Sequence, residues 1–141
     1  MSKQKNWMTD DWDELFDGGH DEMTLDGYMD QAMDFAIYNR FGFNDIFYPA
    51  MGLAGEAGEI ANKVKKLMRD EGIDWTSDDV YEQLDYETAR DIASECGDCL
   101  WYIAALVNDL GYSLEEVAHM NIEKLSGRRR RGVIKGKGDL R

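Results

Sequence analysis

Four carboxylates stand out by their spacing. Glu56 and Glu59 are three residues apart, and so are Glu95 and Asp98. On a helix each residue turns the side-chain direction by about 100°, so both members of such a pair point within roughly 60° of each other. Each pair is then a local two-carboxylate site. Two helices packed along their apolar stripes would bring all four to one seam. Partly desolvated carboxylates at close range repel one another and need a positive counterpart. A hard divalent cation with oxygen ligands supplies it, Mg²⁺ first and Mn²⁺ as the alternative. A single E-x-x-E is more often a solvated helix face, here with an i, i+4 pair from Glu59 to Lys63. The combination with the second E-x-x-D pair is stronger. So is its setting among Gly52, Gly55 and Gly58. Each glycine inside a helix costs about 1 kcal/mol relative to alanine, which points to close approach of another backbone or a ligand unless it only eases helix packing.

These residues need helices to position them, and the hydrophobic pattern supplies four. Leu25, Tyr28, Met29, Ala32, Met33, Ala36 and Ile37 recur at helical spacing, with Thr24 as N-cap, and predict a helix from about Thr24 to Asn39. A second is expected from Pro49, which suits a first turn, to about Met68. It buries Leu53, Ala57, Ile60, Val64 and Leu67 and leaves Glu56 and Glu59 at the edge of that stripe. A third fits Thr88 to Leu110, with Ile92, Cys96, Ile103, Val107 and Leu110 on one face and Gly111 as its stop. Glu95 falls at the edge of that face and Asp98 further round. Ser113-x-x-Glu116 is a capping box that opens a fourth helix to about Leu125. The reading is an all-α bundle of four main helices, with a short helix near Asp78–Leu84 compatible with the 69–87 insertion. Residues 1–23 form an acidic extension, 24–127 the helical domain, and 128–141 a basic, glycine-rich, irregular tail.

Charge is distributed unevenly along the 141 residues. Residues 1–34 carry net −8, residues 35–123 net −12 and residues 124–141 net +7, for a total of −13. The acidic body repels a long polyanion, so stable nucleic-acid binding is not expected, whereas a small polyanion such as a nucleotide is compatible. The arginine run is either a solvated end leaning on the acidic body or an anion-binding tail. No apolar run approaches the roughly 20 residues of a membrane span. No apolar signal segment is visible at the N-terminus, so a cytoplasmic location is expected. The pair Cys96-x-x-Cys99 lacks the strand–helix setting of a redox motif, and His20 and His119 have no spacing to complete a zinc site. Both cysteines are expected on the apolar stripe as small hydrophobes.

The segments GLAGEAGE at 52–59, E-x-G-D-x-L-W-Y at 95–102 and NIEKLSGR at 121–128 resemble the MazG-like nucleoside triphosphate pyrophosphohydrolases. The ending GVIKGKGDLR resembles that of some phage-type members. The resemblance spans roughly residues 25–141. It implies a helical bundle in which Glu56, Glu59, Glu95 and Asp98 bind Mg²⁺, and hydrolysis of a nucleoside or deoxynucleoside triphosphate to the monophosphate and pyrophosphate. It also implies phosphate contacts from Asn121, Lys124 and Arg128, in agreement with the local positive charge. Lys63 either offsets the carboxylates or touches a phosphate. Trp101, off the core stripe, would stack on a base or fill a subunit interface. Self-association to a homodimer or homotetramer is the family-level expectation. Two departures are evident. The 35 residues between Glu59 and Glu95 exceed the compact family pattern, and Phe35 stands where many relatives carry Thr. Two other readings compete: a non-catalytic nucleotide- or metal-binding regulator on the same fold, and an acidic interaction module that mimics DNA.

Overall fold

The computed structural model describes residues 23–38, 45–74, 76–77 and 83–132. They form four α-helices and no strand: α1 (Leu25–Met33), α2 (Phe47–Lys66), α3 (Tyr86–Asp109) and α4 (Leu114–Arg130). A π-helical turn, Leu67–Glu71, continues α2. The all-α reading therefore holds. The acidic extension at 1–22, most of the segment at 78–84 and the tail beyond 132 lie outside the described residues.

The described residues divide into two compact units. One is built on 53–100, the other on 25–52 with 101–132, so α2 and α3 each contribute to both. In the second unit Met29 and Ala32 of α1 meet Ala104 and Val107 of α3 and Leu114 of α4. Tyr28, Met33, Trp101, Ile103 and Val117 close around this core. The indole N–H of Trp101 donates to the Ala32 carbonyl at 3.0 Å. Trp101 is thus a core-packing residue of this unit, which corrects its expected outward position. In the first unit Leu67 and Ile73 are buried, and Ile60, Val64, Ile92 and Cys99 are half-buried. Ala57 and Cys96 are exposed, against the stripes expected of α2 and α3.

Helix ends follow their local chemistry. α1 stops at Met33, short of the expected Asn39, because the chain tightens into i→i+3 bonds from Asp34, Phe35 and Ala36. The Ala32 carbonyl that another α-turn would use is taken by Trp101 and by Phe35 N–H. α3 starts where the Asp85 carboxylate accepts both the backbone N–H of Thr88, at 2.9 Å, and its hydroxyl, at 2.8 Å. It ends as expected at Gly111, φ 80°, with Gly111 N–H on the Asn108 carbonyl and Tyr112 N–H on that of Val107. α4 opens on the full capping box. Ser113 Oγ accepts from Glu116 N–H, and the Glu116 carboxylate accepts from Ser113 N–H. It continues through Gly127 to Arg130, so the first three arginines are helical and not part of an irregular tail. Its left-handed stop is Gly132, φ 66°.

Candidate metal centre

The middle of α2 and the middle of α3 carry the carboxylates. Glu56, Glu95 and Asp98 each offer an oxygen, and these atoms all lie within 4.8 Å of one another. Glu56 and Glu95 are half-buried and Asp98 is exposed. Spacing explains the convergence on each helix, since Glu95 and Asp98 share a face at i, i+3. Glu59, exposed and one turn beyond Glu56, stands outside this three-residue group. Its charge still reaches the site. Burial first, then the charges of Asp98, Glu95 and Glu59, and last a hydrogen bond with Glu95 push the Glu56 carboxyl above its ordinary value.

Lys63 closes one side. Its ammonium lies 3.1 Å from Glu95 Oε1 and 3.6 Å from Asp91 Oδ2. The hydrogen bond to Glu95 raises the Lys63 pKa despite the opposing effect of burial. Asp91 was not among the residues singled out from sequence. Its signal was there: Asp91, Glu95 and Asp98 recur at i, i+4 and i+7, one face of α3. Cys99 sits beside the same carboxylates. Burial first, then Cys96, Glu56, Asp98 and Glu95, raise its thiol pKa. Neither cysteine sulfur belongs to the three-residue group.

The donor set is therefore all oxygen, negative and drawn from two helices, which suits a hard divalent cation and not a thiophilic one. Mutual repulsion among these carboxylates is what a bound cation would offset.

Gly52, Gly55 and Gly58 separate into two kinds. A Cβ at Gly52 would fall on the ring of Tyr102, so the close approach expected there is to an aromatic side chain. Gly55 and Gly58 face open space within 4 Å. Asn121, Lys124 and Arg128 lie on α4 in the other unit, the first two exposed and the third half-buried.

Two comparisons with known proteins bear on this chain. A family model described as the MazG nucleotide pyrophosphohydrolase domain matches residues 50–133. The chain is also 46% identical over 123 residues to the Gene 37 protein of Mycobacterium phage L5, a match covering 84% of this chain and all of that one. No solved structure matches.

Proposed function

The chain belongs to the MazG nucleotide pyrophosphohydrolase family, and from that premise we propose that it hydrolyses a nucleoside or deoxynucleoside triphosphate to the monophosphate and pyrophosphate. The observation that carries this reading is the convergence of Glu56, Glu95 and Asp98 from two helices. These three, with Glu59 beside them, would hold Mg²⁺, or Mn²⁺ in its place. When bound, such a cation neutralises the triphosphate, acidifies a water and stabilises the departing pyrophosphate. The chain's own groups supply the rest. One carboxylate of the set takes the proton of the water that attacks the α-phosphorus. Lys63, Asn121, Lys124 and Arg128 bind phosphate oxygens, a role that suits ammonium, amide and guanidinium donors.

The working form is proposed to be a cytoplasmic homodimer or homotetramer. Phe47, Met51 and Ile122 are 75%, 75% and 61% exposed in the single chain, apolar surface that self-association would cover. No helix of the described residues is long and apolar enough to cross a membrane.

The test is a panel of ribo- and deoxynucleoside triphosphates incubated with Mg²⁺, with products identified by chromatography. At least one nucleotide should yield equal monophosphate and pyrophosphate. Glu56→Gln and Glu59→Ala should each lower that rate at least tenfold. Nucleotide binding in calorimetry with no product from any nucleotide would favour the non-catalytic regulator instead.

A further inference from the structure

The ammonium of Lys63 is shared. It lies 3.1 Å from Glu95 Oε1, 3.6 Å from Asp91 Oδ2 and 3.5 Å from the Asp91 backbone carbonyl. Glu95 is 19% exposed, Lys63 31% and Asp91 73%, so Asp91 is the outermost of the three. Glu95 belongs to the three-carboxylate group, whereas Asp91 does not. Asp91 can act on Glu95 directly, as its i, i+4 neighbour of like charge, or through the Lys63 that both contact, and removing Lys63 separates the two routes.

An ammonium has three donors and no acceptor, so one Lys can hold two carboxylates at once. Each partner then receives only part of its charge. A carboxylate oxygen that accepts from an ammonium is a poorer ligand for a second cation, because its negative potential is already offset and one lone pair is taken. Asp91, outside the group and more exposed than Glu95, draws on the same ammonium. We infer that Asp91 is a positioning residue, which holds Lys63 partly off Glu95 and so keeps Glu95 available to a divalent cation. The inference rests on the reading of Glu56, Glu95 and Asp98 as a metal centre. Partners of ligating groups commonly tune a metal site in this way.

The substitution Asp91→Asn removes the side-chain charge and leaves the backbone carbonyl contact in place. Lys63 then settles on Glu95, and affinity for the cation falls. With Lys63→Met there is no ammonium to misplace, so adding Asp91→Asn has no further effect. The measurement is Mn²⁺ binding to the full chain, followed by the electron paramagnetic resonance of free Mn²⁺, for wild type, both single variants and the double variant. Asp91→Asn alone should weaken Mn²⁺ binding about two- to fivefold, the range of an exposed ion pair. The same substitution on the Lys63→Met background should change it by less than about 1.5-fold, the non-additivity expected of two residues that act through one contact. Asp91→Ser should reproduce both results. A merely structural or long-range role for Asp91 would weaken binding equally in both backgrounds, and that result overturns the inference. No weakening in either background, or disagreement between the two substitutions, overturns it too. Wild-type chain that takes up no Mn²⁺ overturns the metal centre itself, and this inference with it.

Discussion

At the residue scale the glycines of α2 make the sharpest contrast. Gly52 has the Tyr102 ring against it, and that ring is held by Trp101 edge-on at 4.9 Å and by Tyr48 at 6.2 Å. Gly52→Ala must displace a pinned aromatic, and overpacking of this kind costs about 1–3 kcal/mol. Gly55→Ala meets nothing within 4 Å and should instead stabilise the helix by up to about 1 kcal/mol. Urea unfolding of both variants checks the pair, and opposite signs are expected. Spacing placed Glu56, Glu95 and Asp98 on helix faces, but it placed Glu59 there equally, and only the packing of the helices leaves Glu59 outside the three-residue group. The three glycines looked alike in sequence, and only the position of Tyr102, 50 residues on, tells them apart. Trp101 was misplaced for a related reason. A wheel of α3 does not show that α1 offers a carbonyl where the indole points.

At the element scale two caps carry predictions. Ser113 and Glu116 satisfy each other's backbone N–H groups at the start of α4. Ser113→Ala removes one arm, with an expected loss of about 1 kcal/mol in equilibrium unfolding. Asp85 at the start of α3 accepts from the Thr88 N–H and hydroxyl, and these bonds hold its pKa below the ordinary carboxylate range. An acid with a lowered pKa in the fold stabilises it while ionised. That contribution is complete above the unfolded value, near pH 4, and is lost as pH falls through the lowered one. Asn keeps the capping oxygen without the titration. Asp85→Asn should therefore leave stability nearly unchanged at pH 7 and flatten the acid limb below about pH 4. Denaturant titrations from pH 7 down through the acid limb below about pH 4 test it. The capping box and the Gly111 stop could be read directly, because each depends on residues within one turn. The end of α4 could not. Gly127 and Gly132 are both plausible stops, and backbone geometry selects Gly132.

At the scale of the whole molecule the negative charge becomes a stability argument. A ligand that binds only the folded chain stabilises it by about 2.7 kcal/mol at a concentration 100 times its dissociation constant. Mn²⁺ or Mg²⁺ should therefore raise the melting temperature of the wild type, by several degrees for a chain of this size. Glu95→Gln should lose most of that rise. Equal shifts with and without the substitution would mean that the cations act only by screening the net charge of −13. The overall class was legible from the repeated helical periodicity and single proline. The division into two units was not, since hydrophobic spacing reports which face of a helix is buried and not which partner buries it.

The arginine run changes meaning once its backbone is known. Consecutive residues on a helix point about 100° apart, so Arg128, Arg129 and Arg130 fan around the axis of α4 like spokes. Four neighbours in the chain are therefore not four neighbours in space. A flat anionic lattice such as a duplex backbone can engage at most about two of them from one side. A compact anion does not gather the whole run either, and meets α4 through residues spaced three or four apart, as Lys124 and Arg128 are.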